Sequence, residues 1–471
     1  MEMLMSFSGL SQALGVPLLT GEGRQTDTQG FSSVSLDSRE ISPGGLFVAL
    51  RGSLHDGHRY VEAAFAAGAR GAMVAASAME DPSLGLLGAA QKWKGFLLVV
   101  EDTLKGLQDA AGAYLKQFTN LLTIGITGSA GKTTTKEISA AIIGQEKSVV
   151  MNQGNLNSET GLPLSVFNVR SHHEVGIFEA GMNRRGEISE LAKVLNPRLA
   201  LITNIGTAHI GILGTKDAIA EEKKQIFSQF THNNTALIPA EDPYRDFLAA
   251  GLPGRVVFYG PSSLKGLGAC RDLGLLGTEI TWESKTARFG LPGPAMLQNA
   301  LAAAALASEM GLGPDSIRRG LESVKPLFGR GEIFQGRTTL IRDCYNSSPE
   351  SARSALDFCD SLDWPGRRIY VIGSMLELGD SSAEAHGALG RRLVSSKGDM
   401  VYLFGEETKA AAEIFESEEK GIPFFHTQDM EHLSRALNEY IQPGDLVLLK
   451  GSRGCALESL TKICLGEDHV L

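Results

Sequence analysis

Cysteine is scarce in this 471-residue chain: Cys270, Cys344, Cys359, Cys455 and Cys464 are odd in number, widely spread and without a CxxC pair. This usage excludes a disulfide scaffold and offers no zinc-ligand spacing, so the thiols are expected to be packing residues in a reducing compartment. The chain also lacks any Lys/Arg-rich run, and its net charge of -10 makes nucleic acid an unsuitable general partner. A local pocket can still bind phosphate through backbone amides. No apolar run is long enough to span a bilayer, and the N-terminal stretch MEMLMSFSGLSQALG carries Glu2 and no basic region. Neither a membrane anchor nor a secretory signal is expected, and a cytoplasmic enzyme fits best. Internal repeats and low-complexity tracts are absent as well.

What is present is the profile of an ordinary globular protein, 43% hydrophobic and 21% charged. At roughly 100–200 residues per domain, the length suggests three. Residues 1–118 hold short apolar runs (LFVAL, GAMVA, FLLVV) and an alanine-rich helical stretch, YVEAAFAAGA, as in a small α/β domain. Residues 119–326 alternate strand and helix: LLTIGIT, TTTKEISAAIIG, VGIFEA, GEISELAKVL stopped by Asn196-Pro197, and LALITNI. This rhythm predicts a parallel sheet covered by helices. Gly251 to Gly277 reads as irregular, and the helix NALAAAALASEMG follows it. Residues 327–471 resume the alternation with four strands separated by helices, a Rossmann-like domain.

Between LLTIGIT and its helix lies Thr127-Gly128-Ser129-Ala130-Gly131-Lys132-Thr133-Thr134. A strand, a glycine turn and a helix N-terminus together offer amides and a dipole to a phosphate. Lys132 adds a point charge, and Thr133 adds a hydroxyl suited to magnesium. The usual P-loop spacing would require glycine at Ile126, so the pattern fails by one position. ATP is the expected ligand. Ligands of open parallel sheets bind outside the carboxyl ends of the strands. VGIFEA ends in Glu179, and LALITNI leads to His209. Glu179 with Thr133 would make a reasonable oxygen set for magnesium.

Downstream runs DAIAEEKKQIF. At about 100° per residue, Ile219, Ile226, Phe227 and Phe230 share a face that contains Lys223 and excludes Lys224. A buried lysine next to a metal cluster has two resolutions: it is neutral or reaches out to solvent, or it has reacted with carbon dioxide to form an anionic carbamate.

These motifs resemble the ATP-dependent Mur ligases of peptidoglycan synthesis over nearly the whole chain. SLDSREISPGGLFVALRG with DGHRYVEAAFAAGARGA is similar to a uridine-nucleotide-binding domain. TGSAGKTTTKE, GNLNSETGLPLSVF, EAGMNRRGEI and NIGTAHIGILGTKDAIAEEKKQIF are similar to the central ATPase motifs. CYNSSPES and GSMLELGDSSAEAH resemble the branch that joins D-alanyl-D-alanine to UDP-N-acetylmuramoyl-tripeptide, and the DNPR motif of the diamino-acid-adding branch is absent. The resemblance implies an ATP-dependent amide ligase acting as a monomer through an acyl phosphate. The ATP phosphates would lie on Gly128, Ser129, Ala130, Gly131, Lys132, Thr133 and Thr134, with Asn299, Arg330 and Asp343 also at the nucleotide. Two magnesium ions are implied, one on Thr133 and Glu179 and one on His209 and carbamylated Lys223; Lys132, Glu179, His209 and Lys223 would carry the catalysis. The UDP-sugar-peptide would run past Ser38, Asp56, Gly57, His58, Asn157 and Ser158, and the turn Lys450, Gly451, Ser452, Arg453 would sit near the substrates. The sequence departs from the family pattern at Ala295 and Met296 (a His-Asn pair), Ser158, Gln225, Ser347-Ser348 and Ser374. A diamino-acid-adding ligase, a relative acting on folate or another polyamide, and a catalytically silent nucleotide-binding regulator are the other readings.

Overall fold

The computed structural model describes residues 2–20, 29–52, 55–418 and 421–466. The chain divides into two compact units: residues 1–125, 147–200 and 225–234, and residues 126–146, 201–224 and 235–471. Among the described residues, no helix is long and apolar enough to cross a membrane.

In the first unit the three apolar runs become the strands Leu46–Val48, Gly71–Ala75 and Phe96–Val100, which are buried along almost their whole length. They form a five-stranded sheet, edged by Val34–Ser35 and by the antiparallel Leu18–Thr20. Strands buried on both faces read as continuous apolar runs, which is why they are visible in the sequence. Phe47, Phe65, Val74 and Leu97 form their core with the helices Val61–Ala66 and Leu86–Trp93. Farther along, Val149–Met151 pairs in parallel with Val175–Glu179. The Leu122 N–H donates to Glu174 O, and the Arg198 N–H donates to Thr123 O. These bonds set the strand Leu122–Thr127 between its neighbours. The helix Glu187–Leu195 buries Ile188, Leu191, Ala192 and Leu195, then stops at Asn196 (φ 41°) before Pro197.

In the second unit the helix Lys132–Ile143 packs against Pro294–Glu309 and Pro314–Ser323. Residues Asn299 to Ala307 of Pro294–Glu309 are all buried. A helix apolar all round belongs in an interior, and its alanines let neighbours approach closely. The stretch expected to be irregular contains Arg255–Tyr259, paired in parallel with Thr235–Pro239, and Leu267–Asp272. The latter begins a three-stranded antiparallel sheet with Thr278–Trp282 and Lys285–Phe289. Leu267–Asp272 is largely exposed and bulged, so it lacks the apolar alternation that marks a strand. Cys270 lies on it, exposed, whereas the other four cysteines are buried as expected.

The C-terminal sheet has six strands where the sequence suggests four, in the order Glu332–Gln335, Thr339–Asp343, Leu446–Lys450, Arg368–Gly373, Met400–Phe404, Phe424–Thr427. All pairs are parallel except the first. The two unexpected strands are partly exposed edges of only four residues each, too short to show a periodic pattern that would distinguish them from loops. Leu356, Leu393 and Phe415 cover one face, and Leu433, Leu437 and Cys464 the other. The sheet is therefore doubly wound.

Gly320 sets the closest approach of two helices in the second unit. A Cβ there would stand 2.3 Å from Ile142 Cα, a backbone atom that cannot swing aside. Alanine would gain about 1 kcal/mol in helix propensity, but overpacking costs about 1–3 kcal/mol. Gly320→Ala should therefore lower the urea midpoint, and an unchanged or raised midpoint would show that the helices can part without penalty.

Candidate active site

The glycine turn after the strand Leu122–Thr127 owes its shape to the segment 203–206. Asn204 accepts the Ala130 N–H on Oδ1 (3.0 Å) and donates from Nδ2 to Ala130 O (3.1 Å). Thr203 Oγ1 also donates to Ala130 O (2.6 Å), the Ser129 N–H donates to Asn204 O (3.0 Å), and the Gly206 N–H donates to Ser129 Oγ (2.8 Å). Gly128 (φ 148°) and Gly131 (φ 80°) have positive φ. A Cβ on Gly128 would stand 1.8 Å from Thr203 Oγ1, and one on Gly131 would stand 2.3 Å from Asn299 Oδ1. Both positions therefore require glycine. Ile126, where the usual spacing expects a glycine, is fully buried within the strand. The turn leads directly into the helix Lys132–Ile143, whose positive end faces it.

Lys132 Nζ donates to Gly128 O at 3.0 Å, and Lys223 Nζ donates to the same oxygen at 2.9 Å. Lys223 is 1% exposed, whereas Lys224 reaches the carbonyls of Phe247 and Ala250 near the surface and Gln225 is exposed. Burial pushes the Lys223 amine well below its ordinary pKa, and the charge of Lys132 pushes it the same way. Both causes favour the uncharged amine over the ammonium. Arg330 stacks its guanidinium on Tyr345 (4.2 Å) and donates from Nη2 to Thr133 Oγ1 (3.1 Å). The Thr133 oxygen thus already accepts from a cation.

His209 has φ 67°, and its Nδ1 is buried with no hydrogen-bond partner among the described residues. The Glu377 carboxylate lies 3.4 Å from that nitrogen. Burial, then the charges of Lys132 and Lys223, hold the imidazole down to about 4, so it is neutral with a lone pair to offer. Just before it, Thr207 donates its N–H (2.9 Å) and Oγ1 (3.0 Å) to Glu350. Glu350 stands in the first turn of the helix Pro349–Ser361, fixed by a capping box between Ser348 and Ser351. Ser348, one of the family departures, is thus the N-cap. A cavity of about 430 Å³ opens here, lined by Glu350, Lys216, Pro294, Arg353 and Asp357. Asn299 accepts from Thr135 Oγ1 beside Gly131 (3.3 Å), and Met296 lies against Gly331.

Glu179 belongs to the first unit. Its N–H donates to Asn152 Oδ1 (2.9 Å), and its Oε1 accepts from Asn157 Nδ2 (2.6 Å). Asn157 therefore aims the carboxylate. Ser158 Oγ caps the following turn by accepting the Gly161 N–H (3.2 Å). The buried Glu187 accepts the N–H groups of Glu159 (2.9 Å) and Asn183 (2.6 Å), tying together the two loops around Glu179. Ser38 sits half-buried in a turn between the paired Asp37 and Arg39. His58 is fully buried. Its Nδ1 meets Asp56 at 2.6 Å and its Nε2 accepts the Ala75 N–H at 2.9 Å, so the ring braces the loop with both nitrogens engaged. Gly57 is equally constrained, since a Cβ would stand 2.6 Å from Leu50 O.

At the carboxyl ends of the C-terminal sheet, Asp343 and Lys450 are register partners and pair at 3.1 Å; Lys450 also donates to Asn346 O (2.7 Å). Ser452 Oγ accepts the Leu376 N–H (3.0 Å), and Arg453 pairs with Glu458 beneath Phe328. Ser374 is buried, and its hydroxyl holds the Glu407 carboxyl below its ordinary range. The second unit thus places Lys132, Thr133, Lys223, His209, Asn299 and Arg330 around the glycine turn. Asn204, Glu187, Glu350 and Glu377 went unnoticed in the sequence. Their motifs are visible there, but one chain read alone does not show which residue a side chain will meet.

Comparison with known proteins identifies the family. Residues 31–109 match the Mur ligase family catalytic domain, 126–307 the Mur ligase middle domain, and 329–453 the glutamate ligase domain of Mur ligases. The UDP-N-acetylmuramoyl-tripeptide–D-alanyl-D-alanine ligase of Treponema pallidum (strain Nichols) is 43% identical over 461 residues, 97% of this chain and 98% of that protein. A crystal structure of MurF from Acinetobacter baumannii superposes with a TM-score of 0.86 at 28% identity, covering 98% of both chains. MurF ligase from Thermotoga maritima, solved in complex with ADP, gives 0.78 at 28% identity over 92% of this chain and 96% of that one. The chain belongs to the Mur ligase family.

Proposed function

We propose that this protein joins D-alanyl-D-alanine to UDP-N-acetylmuramoyl-tripeptide with consumption of ATP, as a monomer in the cytoplasm, during assembly of peptidoglycan precursors. The observation that carries this reading is the full-length 43% identity to a ligase of that name, together with a glycine turn shaped for phosphate. Domains of residues 1–118, 119–326 and 327–471 would serve the UDP-substrate, ATP and ligation closure respectively. The terminal carboxylate of the tripeptide attacks the γ-phosphorus of ATP, forming an acyl phosphate and releasing ADP. The amine of D-alanyl-D-alanine then attacks the acyl carbon and releases phosphate, with loss of a proton. Repulsion between the carboxylate and the phosphates is the main barrier, and Lys132 at the turn reduces it. Arg330 stands over Tyr345 in position to follow the same charge. Asn299 and the cavity beside Glu350 would take the nucleoside end, with Asp343 and Lys450 at the sheet edge near the reacting groups. Ser38, the Asp56–His58 turn, Asn157, Ser158, Ser452 and Arg453 would shape the path of the UDP-peptide, His58 by bracing.

Two magnesium ions are part of this reading, one on Thr133 and Glu179, the other on His209 and carbamylated Lys223. Among the described residues, no group of three or more His, Cys, Asp or Glu forms a ready metal cage. Magnesium would therefore take most of its oxygens from phosphate, water, Thr133 and a modified lysine. The donor chemistry fits. Thr133 oxygen already accepts from the Arg330 cation, Asn157 fixes Glu179, and the lowered pKa of Lys223 favours the uncharged amine, the form that reacts with carbon dioxide. A carbamate would replace amine repulsion of Lys132 by attraction. When bound, the ions would neutralise charge on the phosphates and the incoming carboxylate.

Phosphate release should require ATP, the UDP-tripeptide and D-alanyl-D-alanine together. Activity with a free diamino acid on the UDP-dipeptide and none with D-alanyl-D-alanine would overturn the substrate assignment, and turnover of ATP alone would mark a simple ATPase. Lys223→Ala should abolish ligation, with partial recovery on adding short carboxylates such as formate or acetate. Ligation by the alanine variant at nearly the wild-type rate would rule the carbamate out.

A further inference from the structure

Glu377 and Glu350 hold the loop that carries His209 from outside the phosphate site. Glu350 takes two hydrogen bonds from Thr207. On the other side, backbone lies against backbone: a Cβ on Gly211 would stand 2.6 Å from Gly379 N, and one on Gly379 would stand 2.8 Å from Gly211 Cα. This approach brings Glu377 to His209. Both residues have φ 67°, a left-handed conformation uncommon for residues other than glycine. Such conformations persist where the surroundings over-determine them, and they cluster at functional sites. Among the described residues His209 Nδ1 is buried and without a hydrogen bond, and the Glu377 carboxylate lies 3.4 Å away as an acidic group paired with it. A small rotation of either side chain would close the contact.

We propose that Glu377 is a positioning residue for ligation: its carboxylate accepts the Nδ1–H of His209, fixing the tautomer that leaves the Nε2 lone pair directed into the site. An imidazole offered to a metal is oriented by what its other nitrogen donates to, commonly a carboxylate. Glu350 and the Gly211–Gly379 contact fix the backbone, and Glu377 fixes the ring. The inference rests on the reading of His209 as a metal-binding residue.

The test uses the full-length protein with ¹⁵N-labelled histidine, the His209 signal being assigned from its loss in His209→Ala. Without ATP or magnesium, the wild-type ring should carry its proton on Nδ1. Glu377→Asn keeps a residue tolerant of the left-handed conformation while withdrawing the acceptor from reach. It should shift the signal toward the Nε2–H form without changing the thermal midpoint. In ligation, it should lower kcat by about 10- to 100-fold and raise the half-saturating magnesium concentration, leaving KM for both peptide substrates within about twofold. Glu377→Gln, whose amide oxygen still accepts, should recover most of both effects. A wild-type ring protonated on Nε2, or Glu377→Asn equal to wild type in kcat and magnesium dependence, would overturn the proposal. The tautomer is read without catalysis, so failure of the ligase reading would show separately, as an absence of ligation by the wild-type protein.

Discussion

One carbonyl oxygen, that of Gly128, accepts hydrogen bonds from two lysine amines, and the chemistry of the second unit depends on that convergence. Two unit positive charges drawn to one acceptor repel each other, by about 4 kcal/mol at a separation of about 4 Å and an effective dielectric of about 20. Desolvation of a fully buried ammonium adds to this cost. The amine that yields is the one with less access to water, Lys223. Lys132, at the start of the helix Lys132–Ile143 and beside the glycine turn, is the less buried of the two. Burial thus distinguishes two identical side chains, pushing the pKa of the more deeply buried Lys223 well down, and the asymmetry arises from the helical face on which Lys223 lies.

The segment from Thr203 to Gly211 connects this chemistry to the rest of the second unit. Its first residues pin the glycine turn through Ala130 and Ser129, so the turn gets its shape from a neighbouring strand end as well as from its own glycines. Its last residues carry His209 and meet Glu350 and Gly379. A displacement at either end would be felt at the other, because the intervening residues are few and hydrogen-bonded at both ends. Rigid placement of this kind is what charge stabilisation requires, since donors that must reorganise during the reaction lose much of their effect.

Much of this was legible in the sequence, for identifiable reasons. Lys223 could be separated from Lys224 because helical phase is a local property, and Ile219, Ile226 and Phe227 define the buried face unambiguously. The strands of the first sheet were visible because burial on both faces makes them uniformly apolar. The edge strands Glu332–Gln335 and Phe424–Thr427 and the bulged Leu267–Asp272 were not, since half-exposed backbone needs no hydrophobic signature. At the site, residue types that imply chemistry stood out, whereas those that act by holding others did not. Asn204 and Glu187 look like ordinary loop and helix-start residues until the chain folds, because their partners lie at Ala130, Glu159 and Asn183.

The departures from the family pattern have the same physical character. Ser348 replaces an asparagine and caps the helix Pro349–Ser361, which places Glu350 in its first turn against Thr207. Ser374 replaces an aspartate, but its hydroxyl holds the Glu407 carboxylate, so an acidic group is still present next to it, supplied by a different strand end. A buried carboxylate directly at residue 374 would need full compensation, whereas a serine that borrows a partly exposed one does not. Gln225 is exposed at the end of the helix that carries Lys223, where loss of a charge touches neither the amine nor its carbonyl partner. Ser348 and Ser374 therefore change how a neighbour is held, Gln225 lies apart from the amine, and all three leave Lys132, Thr133, His209 and Lys223 in place, which is why the family's chemistry can persist on a chain that departs from its motifs.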